Sequence, residues 1–138
     1  MFVLDTNVVS ELRKKSKADR TVADWASGRP LSELFISVIT AMELQYGVLL
    51  AARKDRRKAE MLKVWMDLTL YRFEGRTLDV TIDVALQCAA LHVPDPKSER
   101  DALIAATALA HGMTLVTRNT KDFERMGVKL LNPWVEDI

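Results

Sequence analysis

The chain opens with Phe2-Val3-Leu4-Asp5-Thr6-Asn7. Phe2-Val3-Leu4 is a short apolar run, which reads as a buried strand. Asp5-Thr6-Asn7 then supplies polar residues that open a helix over residues 8–12. The same strand-then-helix pattern recurs along the chain. Leu34-Phe35-Ile36 reads as a second strand, followed by a helix from Thr40 through Met42, Leu44 and Leu50. Residues 113–116 read as another strand, followed by a short turn of helix after Thr120. Between them the spacing predicts a helix over 21–26, stopped by Gly28-Arg29-Pro30. An amphipathic helix is predicted over 56–70, with Met61, Leu62, Trp65 and Leu68 on its apolar face. A strand over 76–80, a helix over 81–91, an alanine-rich helix over 98–111 and a last strand over 128–131 complete the reading. Pro94 and Pro96 make residues 92–97 a loop. Alternating strands and helices predict an α/β fold: a central, mainly parallel sheet of about four to five strands flanked by helices, in one domain spanning 1–138.

The composition agrees. Of 138 residues, 49% are hydrophobic and 28% charged, which excludes a disordered or fibrous chain. One cysteine, Cys88, and two histidines exclude a disulfide framework and a Cys/His zinc site. The net charge of +1 does not decide whether nucleic acid is a partner, because local patches matter more. The apolar start ends in a carboxylate at position 5, unlike a signal peptide. The longest apolar-rich run, 102–110, is too short to span a bilayer. A cytoplasmic protein without membrane association is expected.

Four acids stand out by position. Asp5 ends the first strand, Glu43 lies early in the helix after the second, Asp101 early in the alanine-rich helix, and Asp122 just past the strand ending at Val116. Each has an ordinary reading as a helix cap. Thr40-x-x-Glu43 and Ser98-x-x-Asp101 match a capping box, Asn119-x-x-Asp122 resembles one, and Asp5 can cap the first helix. Jointly they suggest more. Strand-to-helix turns of a parallel sheet gather at one edge, where ligands bind. Asp5, Glu43 and Asp122 should meet there, whereas spacing alone does not bring in Asp101. Two carboxylates about 4 Å apart repel by about 4 kcal/mol at an effective dielectric of 20, so a cluster calls for a cation, a shared proton or a basic partner. Oxygen ligands without His or Cys suit Mg²⁺ or Mn²⁺, which can activate water and neutralise a phosphodiester under attack.

These residues also carry a family resemblance. Val3-Leu4-Asp5-Thr6-Asn7 resembles the opening of PIN-domain ribonucleases. Ile39-Thr40-x-x-Glu43-Leu44-x-x-Gly47 resembles their second motif, and Asp101-Ala102-Leu103-Ile104-Ala105-Ala106-Thr107-Ala108 their third. Val116-Thr117-Arg118-Asn119-x-x-Asp122-Phe123 resembles the fourth. Order and spacing match over essentially the whole chain, and Asn132-Pro133-Trp134 is similar to the ending of one bacterial subset. The chain resembles VapC-type toxins of VapBC toxin–antitoxin systems, close to the FitB-like branch. The resemblance implies a PIN-like fold and a Mg²⁺- or Mn²⁺-dependent endoribonuclease acting on tRNA or structured RNA. It further implies a homodimer and inhibition by a VapB-like antitoxin. Asp5, Glu43 and Asp101 match the three family acids and are the implied metal ligands, Glu43 directly or through water. Some relatives carry Asp where this chain has Asn119, so the fourth catalytic position falls to Asn119 or Asp122. Thr6, Asn7, Thr117 and Asn119 match secondary polar positions.

Arg53, Lys54, Arg56, Arg57 and Lys58 form the densest basic run and are candidates for RNA phosphate binding. The opposing reading is a solvated helix face, with Arg56–Glu60 and Lys63–Asp67 at ion-pair spacing. Trp25 and Trp65 read as core or interface, Cys88 as packing, and His92 and His111 as loop and helix-end residues. Two other classes remain. One is phosphoryl transfer through an aspartyl intermediate, which wants a second Asp where this chain has Asn7. The other is a non-catalytic binding module whose acids only cap helices.

Overall fold

A computed structural model describes residues 1–135. Its strands are β1 (Phe2–Leu4), β2 (Leu34–Ser37), β3 (Thr77–Leu78), β4 (Thr114–Val116) and β5 (Leu130–Leu131). The helices are α1 (Thr6–Leu12), α2 (Arg20–Ser27), α3 (Val38–Ala52), α4 (Arg56–Arg72), α5 (Ile82–Leu91), α6 (Glu99–Ala110) and α7 (Thr120–Phe123). The five strands form one sheet in the order β3-β2-β1-β4-β5, and every pairing is parallel. The opening strand is therefore central, which is why its residues are apolar without alternation.

The strand period of two divides the core. Leu4 and Val116 point to one face, packing with Val8, Val22, Ile36, Leu44, Val48 and Met66. Val3 and Leu115 point to the other, packing with Ile39, Ile104, Ala105, Ala108 and Phe123. Leu4, Ile104 and Leu115 are essentially fully buried, each contributing about 1.5–3 kcal/mol of transfer free energy. The alanines of α6 serve two neighbours: Ala105 and Ala108 meet the sheet, while Ala102 and Ala106 meet Val84 and Cys88 of α5. Their small side chains leave α6 close to both.

Capping departs from the sequence reading in three places. α3 starts earlier, capped by Ser37, whose hydroxyl accepts from the Thr40 amide at 3.2 Å. Thr40 thus lies inside the helix, buried, and does not cap it. Ser98 stands at the N-cap of α6 without a side-chain capping bond, and so does Asn119 at that of α7. Asp5 does cap α1.

The apolar face of α4 is also displaced. Ala59, Met66 and Thr69 are buried and Leu62 and Trp65 half-buried, but Met61 and Leu68 are 69% and 57% exposed. The helix is apolar on more than one side, and packing against α3 selects the edge that is covered. Among the described residues, no helix is long and apolar enough to cross a membrane.

Candidate active site

Parallel strands deliver their carboxyl ends to one edge of the sheet. There Asp5 leaves β1, Ser37 leaves β2 into α3, and Thr117 follows β4. α6 leads into β4 and returns antiparallel to it, so its first turn, with Asp101, lies at the same edge. That connection is what linear spacing from a strand did not reveal.

Asp5 is buried, 7% exposed. Its Oδ1 accepts from the Thr6 amide at 2.8 Å, and its Oδ2 accepts from Thr117 Oγ1 at 2.7 Å and from Asn7 Nδ2 at 3.3 Å. Burial pushes its carboxyl above the usual aspartate value. The Thr117 and Thr6 donors oppose the shift, and the charges of Glu43 and Asp122 add to it. Asp101 is half-buried. Burial raises its carboxyl too, reinforced by Asp5, Asp122 and Glu43. Asp5 thus feels Glu43 and Asp122, and Asp101 feels Asp5, Asp122 and Glu43.

Hydroxyls and amides hold this arrangement. Thr6 Oγ1 donates to Glu43 Oε1 at 2.8 Å and lies 3.0 Å from Thr40 Oγ1. Since a hydroxyl has one hydrogen and Thr6 gives it to Glu43, Thr40 donates to Thr6. Thr117 Oγ1 accepts from the Asn119 amide at 3.1 Å and from Asn7 Nδ2 at 3.4 Å, while Asn7 Oδ1 accepts from the Arg118 amide at 3.3 Å. Thr6, Asn7, Thr117 and Asn119 thus all join one network. Asn119 enters through its backbone, as it does in accepting from the Asp122 amide at 3.0 Å. Asp122 itself is exposed.

Sequence reading missed two participants. Thr40 is the inner member of the hydroxyl chain; its position three residues before Glu43, on the same helix side, was the available signal. Arg100 sits 3.7 Å from Glu43 Oε2 and is announced only by its adjacency to Asp101. The basic run is not at the acids. Arg53 to Lys58 are all exposed around the far end of α3, about 15 Å along the axis from Glu43. Of the two ion pairs expected there, Lys63–Asp67 forms at 2.8 Å. Arg56–Glu60 is not within 4 Å among the described residues.

The donor set suits a hard divalent cation. The acids and their supporting hydroxyls offer oxygen alone, and two carboxyls are disfavoured as anions first by burial and then by neighbouring acids, a cost that a cation relieves. Their oxygens are spread rather than closed into a tight cage. Among the described residues, the only trio of potential ligand atoms lying within 4.8 Å of one another is Cys88, His92 and Glu99. The sequence reading had not brought these three together. In that trio the Lys97 amide donates to His92 Nδ1 at 2.9 Å. The neutral ring then carries its proton on Nε2, 3.1 Å from Glu99. The lone pair a metal would need at Nε2 is protonated, so the trio reads as a staple of the proline loop.

Comparison with known proteins gives the family. The PIN domain family model matches residues 2–129. A protein of Sinorhizobium fredii named VapC ribonuclease Y4jK is 36% identical over 139 residues, covering 97% of this chain and 98% of that one. Toxin FitB of Neisseria gonorrhoeae is 32% identical, covering 97% and 99%. The crystal structure of FitAcB from Neisseria gonorrhoeae superposes with a TM-score of 0.87 at 32% identity, covering 97% of this chain and 99% of that chain. With a family model matched over almost its entire length, a buried acid at the end of β1 and three further acids around it, this chain belongs to the PIN domain family.

Proposed function

We propose that this chain, as a single PIN domain over 1–138, is a metal-dependent endoribonuclease toxin of a VapBC-type toxin–antitoxin system, acting in the cytoplasm. The observation that carries the reading is the buried Asp5 at the end of β1, aimed by Thr117, Asn7 and the Thr6 amide, with Glu43 tied to the same edge through Thr6. Helix capping does not account for the cluster: of the four acids, only Asp5 makes a cap bond. The names of the relatives, a ribonuclease and a toxin, support the same activity.

Asp5, Glu43 and Asp101 would hold Mg²⁺ or Mn²⁺, and Asp122 would complete the acidic set at its exposed side. Bound there, the ion supplies Lewis-acid neutralisation of the phosphodiester and a more acidic water. The chain's own part is positioning. Thr117, Asn7 and the Thr6 amide aim Asp5, and the Thr40–Thr6 relay aims one oxygen of Glu43. The other Glu43 oxygen is left to accept a proton from the attacking water. Hydrolysis joins the water oxygen to phosphorus and releases the ribose oxygen as leaving group.

An outward stripe of Met61, Val64, Leu68 and Tyr71 on α4, and another of Met42, Tyr46, Leu49 and Leu50 on α3, leave much apolar surface uncovered. Such surface fits a chain that works with protein partners: an inhibiting VapB-like antitoxin and a second copy of itself. Arg53, Lys54, Arg56, Arg57 and Lys58 would hold RNA phosphates remote from the cut.

The test is cleavage of bulk tRNA by the purified protein in Mg²⁺, Mn²⁺ or EDTA, with Asp5→Asn prepared identically. Cutting that needs the metal and disappears in Asp5→Asn is expected. An equal rate in Asp5→Asn overturns the mechanism, and intact RNA under every condition overturns the substrate class.

A further inference from the structure

Arg100 is the one basic side chain within 4 Å of any of the four site acids among the described residues. Its Nη1 stands 3.7 Å from Glu43 Oε2, beyond hydrogen-bond reach. The guanidinium carbon instead lies over the Tyr46 ring, 5.3 Å from its centroid. Tyr46 lies on α3, three residues beyond Glu43, and is half exposed. Arg76 spends its guanidinium on the carbonyls of Leu31, Leu34 and Arg72. Arg100 has only the long ion pair and the ring as partners among the described residues. Its planar fork of N–H donors makes no hydrogen bond among the described residues, and that fork matches a phosphate.

This placement answers a problem set by the acids. An RNA strand must bring a phosphate, itself an anion, to four carboxylates. The basic run lies too far along α3 to help at that point, and Arg118, which also lies over a ring, that of Trp134, is not within 4 Å of any of the four acids among the described residues. We propose that Arg100, seated on Tyr46, is a substrate-positioning residue that takes the RNA phosphate entering the acidic edge. Tyr46 keeps the guanidinium from collapsing onto Glu43, so its donors stay available. The inference rests on the ribonuclease reading above and deepens it.

The experiment measures RNA affinity and cleavage separately. Affinity of a single-stranded RNA oligonucleotide is measured in Mg²⁺ over a salt series, on the uncutting Asp5→Asn chain. Adding Arg100→Gln is expected to weaken binding about tenfold. It should also reduce the slope of log affinity against log salt by about 0.7, the value of one single-strand phosphate contact. A purely structural role would leave that slope unchanged. In the chain with Asp5 intact, Arg100→Gln lowers kcat/KM, Arg100→Lys restores part of it, Tyr46→Phe keeps it and Tyr46→Ala loses it. If the unmodified chain cuts RNA and Arg100→Gln binds and cuts equally well, this inference falls and the ribonuclease reading stands. If Asp5→Asn binds no RNA and the unmodified chain cuts none, both fall together.

Discussion

Thr117 Oγ1 donates to Asp5 Oδ2 across 2.7 Å, joining residues 112 positions apart in the chain and the ends of two adjacent strands. The hydroxyl is fully buried and also receives the Asn119 amide. Thr117→Val keeps the shape and removes both functions. It should cost about 1–3 kcal/mol, because buried polar groups are left unpaired. Thr117→Ser should recover most of that. Urea denaturation midpoints check this, and coincident curves for Thr117→Val and the parent would refute it.

Asp101 is held against three like charges, so neutralising it should relieve the fold. In EDTA at neutral pH, Asp101→Asn is expected to melt at a higher temperature than the parent. Adding Mg²⁺ should raise the parent's melting temperature and leave the variant's nearly unchanged. A lower metal-free melting temperature for Asp101→Asn would mean that its carboxylate is a structural asset.

The raised carboxyls also fix the sign of a pH effect. Asp5 and Asp101 bind protons more tightly in the folded chain than in the unfolded one. Their contribution to metal-free stability is fully present below the ordinary aspartate pKa of about 3.9 and is lost as pH rises through their raised values. Bound metal requires the deprotonated forms. Metal-induced stabilisation should therefore fade on acidification at a pH above that ordinary value. Calorimetric titration of Mg²⁺ over a pH series reads this directly; a midpoint at or below about 3.9 contradicts it.

Thr6 aims Glu43 by a single 2.8 Å hydrogen bond and in turn satisfies Thr40. Thr6→Val should lower metal affinity or RNA cleavage by about 10–100-fold, the usual effect of removing a group that orients a ligand. Thr6→Ser should act like the parent. A Thr6→Val protein with unaltered activity would show that Glu43 needs no orienting.

What could be read from the sequence follows from how local each signal is. Phe2-Val3-Leu4 marked the central strand because burial on both faces removes any polar position. Asp5 as the cap of α1 was legible because that role follows directly from the strand end. Thr40 was misread because a threonine three residues before a glutamate looks the same whether it caps a helix or sits one turn inside it; Ser37 took the cap. Met61 and Leu68 were misplaced because an apolar stripe does not say which neighbour will cover it. The arrival of Asp101 depends on α6 returning antiparallel to β4, and the seat of Arg100 on Tyr46 depends on α3 and α6 meeting, a contact between segments about fifty residues apart that no spacing encodes.

The parallel order β3-β2-β1-β4-β5 has a consequence for how the protein is made. Its central strand is synthesised first, but one of that strand's two neighbours, β4, comes near the end. A growing chain that stops at residue 113 carries Asp5, Glu43 and Asp101. It lacks Thr117, the strand that seats Asp5 from that side, and Asp122. Helices can form early on the ribosome, but the hydrogen bond that aims Asp5 cannot form until Thr117 has emerged. Closure of the acid-bearing edge is thereby tied to translation of the last part of the chain.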